Sequence, residues 1–238
     1  MPNLPRFQED YDVTDAENKT VKSITEYHVA CVFLIDTSDS MNYNNAIVQV
    51  NKAVDDFKKS ITDAHAKSCI DVAFISFGPD VKVLKEFGPI VDMSQQYFTA
   101  SGGTPMGEAL IKAMDMIIER KALYRKKATP YYRPWIFCIT DGGPTDKEQT
   151  ATATQRLKQM VEQNGVVDYC VGVDNFEKEK MKEIFSPERV YFLSDSNFSE
   201  LFKWLGNSFT TMSNSGVPIG GSLDLPPAPR SLVVTTPL

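Results

Sequence analysis

The sequence predicts a three-layer, doubly wound α/β domain, with one mostly parallel sheet of six strands, one of them an antiparallel edge strand, and helices on both faces. Two observations carry this reading. Short, apolar runs alternate with amphipathic stretches about six times within some 190 residues, and such alternation builds a parallel sheet whose crossovers are helices. One run breaks the pattern. Val81 to Lys85 (VKVLK) follows Gly78-Pro79-Asp80 at hairpin spacing and alternates apolar with polar residues, as an edge strand does.

The elements follow in order. Residues 1–24 are polar and acidic, with two prolines and no periodicity, and predict an extended or partly disordered lead-in. The domain proper is expected over 25–212. Val29 to Ile35 (VACVFLI) is continuously apolar, as a strand covered on both faces must be. Asn44 to Ile61 places Ile47, Val50, Val54, Phe57 and Ile61 at spacings of three and four, which gives a helix with one buried stripe. Ile70 to Phe77 reads as the next strand and VKVLK as its hairpin partner. A loop rich in Pro, Gly and Ser runs to Gly103. Pro105 to Tyr124 predicts a helix with Leu110, Met114 and Ile117 on one face, and Trp135 to Thr140 (WIFCIT) a buried strand. Lys147 to Gln163 predicts a helix, stopped by Asn164-Gly165. Val166 to Val171 is a strand, a short helix begins near Phe176, and Val190 to Leu193 is the last strand. Asn197 to Met212 turns Phe198, Leu201, Phe202, Leu205 and Phe209 inward. Residues 213–238 carry Pro218, Pro226, Pro227 and Pro229 and predict a flexible tail. No second domain or short-period repeat is apparent.

Composition bounds the function. With 238 residues, 42% apolar and 24% charged, the chain is an ordinary globular protein with ample core. Its net charge is -6, and the densest basic spot is Arg125, Lys126 and Lys127. Binding to nucleic acid through phosphate contacts is therefore not expected of the domain as a whole. No apolar run reaches the ~18 residues of a membrane span, and the opening MPNLPRFQEDYD lacks the pattern of a secretory signal. Cys31, Cys69, Cys138 and Cys170 each fall in an apolar run without a CxxC pair, and read as buried structural thiols. These features together predict a cytoplasmic protein that uses neither membrane nor nucleic acid.

Ligands of open α/β sheets bind outside the carboxyl ends of the strands. Asp36-Thr37-Ser38-Asp39-Ser40 follows the first strand, and Asp141-Gly142-Gly143-Pro144-Thr145-Asp146 follows WIFCIT. Ser101-Gly102-Gly103-Thr104 precedes the helix at Pro105. These loops offer carboxylates, hydroxyls and glycines but no His or Cys. That donor set suits a hard cation and argues against Zn²⁺ or copper. Asp36, Ser38 and Ser40 are two apart, so an extended exit from the strand points them the same way.

Asp36-x-Ser38-x-Ser40, then Thr104, then Asp141 resemble the metal-ion-dependent adhesion site of von Willebrand factor A and integrin inserted domains, across roughly residues 27–211. FLIDTSDSM, GGTPMGEAL and FCITDGGPTD are most similar to the bacterial tellurite-resistance TerY-like group. The resemblance implies a Rossmann-like fold that binds Mg²⁺, with Mn²⁺ or Ca²⁺ as alternatives. Ser38 and Ser40 would coordinate directly, and Thr104 directly or through water. Asp36 and Asp141 would hold the metal's waters and orient the hydroxyls, and Gly103 and Gly142 would flank the site. A partner's Asp or Glu would fill the remaining position. The narrower likeness implies a stress-associated protein working beside kinases or phosphatases. Asp39 departs from the Gly common in relatives; its acid either points to solvent or adds charge beside the metal.

Plainer readings stand beside these. Ser38, Ser40 or Asn42 could cap the following helix. Thr104 before Pro105 could be a cap as well as a ligand. Asp146 reads as a helix cap rather than a ligand. His28 and His65 have no carboxylate or Cys at a telling spacing and read as structural or solvent-facing. A haloacid-dehalogenase-type phosphatase needs an Asp where Ser38 stands. A phosphate loop and a GxSxG elbow are both absent. The expectation is a metal-dependent binding module rather than an enzyme. The alternatives are a metal-dependent phosphoester hydrolase or a scaffold with an empty site.

Overall fold

Alternation along each strand sets the layers, because successive side chains point to opposite faces. β1 (Val29–Asp36) is buried at every position. Its residues Cys31, Phe33 and Ile35 enter one apolar cluster, while Val32 and Leu34 enter the other. The computed structural model describes residues 26–173, 176–194, 197–215 and 225–234; the predicted lead-in lies outside them.

The remaining elements are α1 (Ala46–Ser60), α2 (Ala64–Cys69), β2 (Ile70–Phe77), β3 (Val81–Pro89), α3 (Met106–Lys126), β4 (Trp135–Thr140), α4 (Lys147–Glu162), β5 (Val167–Gly172), α5 (Lys178–Ile184), β6 (Val190–Leu193), α6 (Phe198–Asn214) and β7 (Leu232–Val234). Among the described residues the sheet has seven strands in the order β3-β2-β1-β4-β5-β6-β7. The five central strands β2, β1, β4, β5 and β6 pair in parallel, and β3 and β7 close the two edges antiparallel.

Two corrections to the expected fold follow. The sheet has seven strands rather than six, and both edges are antiparallel. The added strand comes from the segment expected to be a flexible tail. Leu232 is buried in the core, the Ser231 carbonyl accepts from Ser194 N–H at 2.8 Å, and the Trp204 indole donates to the Pro226 carbonyl at 2.9 Å. Prolines there prevent helix but leave an edge strand available. Element ends shift by a few residues. In particular, β3 runs past Lys85 to Pro89 through a register irregularity. α1 starts at Ala46 because Asn44 and Asn45 are left-handed, with φ 51° and 57°; Asn adopts that region more readily than other non-Gly residues.

One face of the sheet packs on α1 and α6, where Phe33 stacks on Phe74 with ring centroids 4.9 Å apart and meets Phe57 edge-on at 5.6 Å. The Phe stripe of α6 is core, as expected: Phe198, Phe202 and Phe209 are buried. α3, α4 and α5 cover the other face. All four cysteines are free and buried. Among the described residues no helix is long and apolar enough to cross a membrane.

His28 and His65 both find partners that sequence spacing did not reveal. His28 Nδ1 lies 2.7 Å from Asp71 Oδ2, and that buried carboxylate also accepts from Tyr124 Oη and pairs with Arg120 at 2.6 Å. His65 sits in α2, not in a turn, with Cys69 Sγ at 3.9 Å and Glu26 at 3.8 Å. Both lie at the amino end of the sheet, away from the three loops.

Candidate metal centre

The chain leaves β1 toward β2 on one side, and the second half of the sheet starts with β4 on the other. β1 and β4 are therefore neighbours whose connections diverge, which opens a crevice at their carboxyl ends. Asp36 closes β1 and Asp141 follows β4 directly.

Asp36 is fully buried and both of its oxygens are used. Oδ1 accepts from Ser38 N–H at 2.8 Å, and Oδ2 accepts from the Thr140 hydroxyl at 2.5 Å. Burial pushes its carboxyl up to about 6; the bonds from Thr140 and Ser38 oppose the rise, and the charge of Asp141 adds to it. Ser38 Oγ and Ser40 Oγ lie 3.0 Å apart, and Ser40 Oγ donates to Asp141 Oδ1 at 2.8 Å. Asp36, Ser38, Ser40 and Asp141 thus form one polar line.

Backbone bonds join the third loop to this line. Ser101 N–H donates to the Thr37 carbonyl at 2.8 Å, and Asp39 N–H donates to the Gly102 carbonyl at 3.0 Å. The approach is close. A Cβ on Gly78, in the β2–β3 turn, would stand 2.5 Å from the Thr37 carbonyl and 2.9 Å from that of Ser101. Thr104 is buried and held from the β4 loop, its N–H donating to Thr145 Oγ1 at 3.1 Å and its carbonyl accepting from Thr145 N–H at 2.9 Å. Among the described residues its hydroxyl makes no hydrogen bond, which leaves the oxygen available to a ligand.

The capping readings change accordingly. Ser38 precedes a 3-10 turn, Asp39–Asn45, without capping it through its side chain. α3 begins at Met106, and Thr104 caps nothing with its hydroxyl. Asp146 is a cap, but for a different helix from the one that follows it. Its carboxylate accepts from Gly107 N–H at 3.1 Å and Glu108 N–H at 2.8 Å, at the start of α3. Asp39 is exposed. A Cβ on Gly142 would meet nothing within 4 Å, and one on Gly103 would stand 3.3 Å from Thr145 Oγ1.

Sequence reasoning missed Thr140 and Thr145. Thr140 ends β4 beside Asp36 in the parallel register that pairs Ile35 with Ile139, so the adjacent strand ends were its available signal. Thr145 becomes visible only once the loops are seen to cross.

The donor set fits a hard divalent cation. Among the described residues no three His, Cys, Asp or Glu side chains gather as a metal-binding group. The loops instead gather two carboxylates with the hydroxyls of Ser38 and Ser40, and the loop that carries Thr104 is bonded to the β1 loop through Ser101 and Gly102. Neutral oxygens of this kind can bind Mg²⁺, Mn²⁺ or Ca²⁺, which take oxygen ligands.

No curated protein sequence matches the chain. Among solved structures, a von Willebrand factor type A protein from Catenulispora acidiphila aligns at 17% identity over 78% of this chain and 43% of its own, with a TM-score of 0.58. Proximal thread matrix protein 1 from the mussel byssus, with a zinc-occupied MIDAS motif, aligns at 19% over 76% of this chain and 46% of its own, TM-score 0.56. Manganese-loaded TRAP protein of Plasmodium vivax aligns at 19% over 75% and 72%, TM-score 0.54. These likenesses are of fold, and the chain spans less than half the length of the first two. The model of the von Willebrand factor type A domain matches residues 31–204, from the third residue of β1 into α6. The chain is a member of the von Willebrand factor type A domain family.

Proposed function

We propose that the chain is a binding module in which a divalent cation, held by the three loops, captures an Asp or Glu of a partner protein. The observation that carries this reading is the unbroken line Asp36–Ser38–Ser40–Asp141, with the Ser101–Gly102 loop bonded to the β1 loop and Thr104, two residues on, held by Thr145 of the β4 loop. Ser38, Ser40 and Thr104 would supply neutral oxygens, and Asp36 and Asp141 would hold waters and orient the hydroxyls. When bound, the cation would supply an electrophilic centre for an incoming carboxylate. With neutral oxygens from Ser38, Ser40 and Thr104 as its holders, its positive charge would stay largely uncompensated.

Mg²⁺ is the proposed ion on the strength of the oxygen donors. The zinc and manganese named for the two structural neighbours support a divalent ion without choosing among them. Binding is favoured over hydrolysis because both histidines sit at the other end of the sheet, engaged with Asp71 and Glu26, and the loops bring no general base besides Asp36 and Asp141. On the motif resemblance alone we extend the proposal to a cytoplasmic partner in a bacterial stress or tellurite-resistance system, such as a kinase or phosphatase component.

Titration calorimetry with Mn²⁺ and with Mg²⁺ tests the site. The wild type should bind, and Ser38→Ala should weaken binding by about 10–100-fold or more with unchanged circular dichroism. Equal binding by both proteins would refute the assignment. Metal-dependent turnover of a generic phosphoester, lost in an Asp36 variant, would replace it with the hydrolase reading.

A further inference from the structure

The segment that carries Thr104 is tied on two sides, and the ties differ in stiffness. Toward the β1 loop the bonds fall short of Thr104 itself. Ser101 N–H donates to the Thr37 carbonyl at 2.8 Å, and the Gly102 carbonyl accepts from Asp39 N–H at 3.0 Å. The chain then passes through Gly102, at φ 75°, and Gly103 before it reaches Thr104. Glycine restrains the backbone least of all residues, so the β1 side holds Thr104 loosely.

Toward the β4 loop, four hydrogen bonds fall on residues 104–108 themselves. Thr104 N–H donates to Thr145 Oγ1 at 3.1 Å, and the Thr104 carbonyl accepts from Thr145 N–H at 2.9 Å. The Asp146 carboxylate accepts from Gly107 N–H at 3.1 Å and Glu108 N–H at 2.8 Å, and its Oδ1 also accepts from the Thr150 hydroxyl at 3.0 Å. Little slack remains behind this clamp. A Cβ on Gly107 would stand 2.2 Å from Thr150 N, so the first turn of α3 lies backbone to backbone on α4. A Cβ on Gly103 would stand 3.3 Å from Thr145 Oγ1.

Capping of α3 accounts for Asp146. It does not account for Thr145, whose bonds fall on Thr104, ahead of the first residue of α3, Met106. Core packing does not account for it either, since Thr145 is exposed. What the Thr145 side chain does in this structure is hold the backbone of a residue whose own hydroxyl is left for a ligand.

We propose that Thr145 is a positioning residue of the metal site. It fixes where the Thr104 oxygen stands, so that Thr104 follows the β4 loop, which also carries Asp141, rather than the β1 loop, which carries the serines. The inference rests on the metal-binding reading above. Partners that orient a metal ligand from behind typically carry 10–100-fold of the affinity.

Mn²⁺ titration of the full chain, followed by electron paramagnetic resonance of the free ion, tests the proposal through a double-mutant cycle. Thr145→Val keeps the side chain's shape and removes the accepting oxygen, and Thr145→Ser keeps that oxygen. T145V should weaken Mn²⁺ binding by about tenfold or more with unchanged circular dichroism, and T145S should bind like the wild type. Thr104→Val should also weaken binding. The double variant T104V/T145V should bind no more weakly than T104V alone, because Thr145 acts through Thr104. Equal affinity in T145V and the wild type would overturn the proposal, whatever happens to the urea midpoint; a midpoint that falls alone would mark a purely structural role. Additive weakening in the double variant would overturn it too. Should T145V lose the fold, Thr145→Ala runs the same cycle. A wild type that binds no Mn²⁺, or binds no more tightly than Ser38→Ala, would sink the metal reading itself and this inference with it.

Discussion

Asp36 makes the metal-free domain sensitive to pH in an unusual direction. Its carboxyl is pushed from 3.8 to about 6 by burial, net of the bonds from Ser38 and Thr140. A carboxyl whose folded value lies above its unfolded value favours the fold while protonated. That contribution is complete below about pH 4 and is lost as pH rises through 6. At 1.36 kcal/mol per unit, the loss is about 3 kcal/mol at neutral pH, a large share of the 5–15 kcal/mol typical of a domain.

Asp36→Asn isolates the effect. The amide can keep both bonds: its oxygen accepts from Ser38 N–H, and its NH2 donates to Thr140 Oγ1, whose own hydrogen turns to the Gly142 carbonyl, 3.2 Å away. The variant should therefore match the wild type at pH 4 in EDTA and exceed it by about 2–3 kcal/mol at pH 7.5. Urea unfolding at several pH values measures both proteins. The difference between them cancels the titration of the other carboxylates, including Asp71, which has the opposite sign. Added Mg²⁺ should stabilise the wild type at pH 7.5 and not the variant. A difference that stays flat between pH 4 and 7.5, or a variant less stable than the wild type at pH 7.5 in EDTA, would refute the reasoning.

Three further outcomes are expected. Thr140→Val removes the donor to Asp36 Oδ2, and should weaken Mn²⁺ binding by about 10–100-fold in calorimetry while the domain stays folded. Gly107→Ala sets a Cβ 2.2 Å from Thr150 N and 2.4 Å from the Gln149 carbonyl carbon. Backbone cannot yield as a side chain does, so scanning calorimetry should show a loss of about 3 kcal/mol or more, which is roughly 6–12 °C in Tm. Asp71→Asn strips the buried counter-charge from Arg120 and should cost about 3–5 kcal/mol in urea unfolding. Because the bonds from His28, Arg120 and Tyr124 hold Asp71 below its ordinary value against its burial, its stabilisation exists above about pH 4 and fades as pH falls through the folded value.

The central strands were legible because burial on both faces leaves no room for polar residues. VACVFLI and WIFCIT declare themselves by composition alone. α2 was not legible, since six residues (AHAKSC) are too few to show a helical period; Asp63, which accepts from Ala66 N–H at 2.7 Å, was its only local signal. β7 had no local signal at all, because three residues in a proline-rich stretch become a strand only where β6 offers an edge. Asp71 shows the same limit. Within IDVAFISF it looks like an interruption, and its partners His28, Arg120 and Tyr124 come from three distant segments.

The placement of the five candidate residues was readable for a different reason. Each sits at or just beyond an element end that the strand alternation fixes, so the topology converts sequence position into place. Parallel pairing of β1 with β4 then explains why Asp36 and Asp141 come together, as their strands end side by side where the connections diverge. The same placement sets the charge balance. A site built from several exposed carboxylates would neutralise a divalent ion and leave little attraction for a partner's acid. Burying Asp36 under Thr140, and supplying hydroxyls from Ser38 and Ser40, keeps the negative charge low. The resulting destabilisation of ionised Asp36 is what a bound cation would relieve. On the proposed reading, affinity for an ion and stability of the fold would therefore be linked through this one side chain.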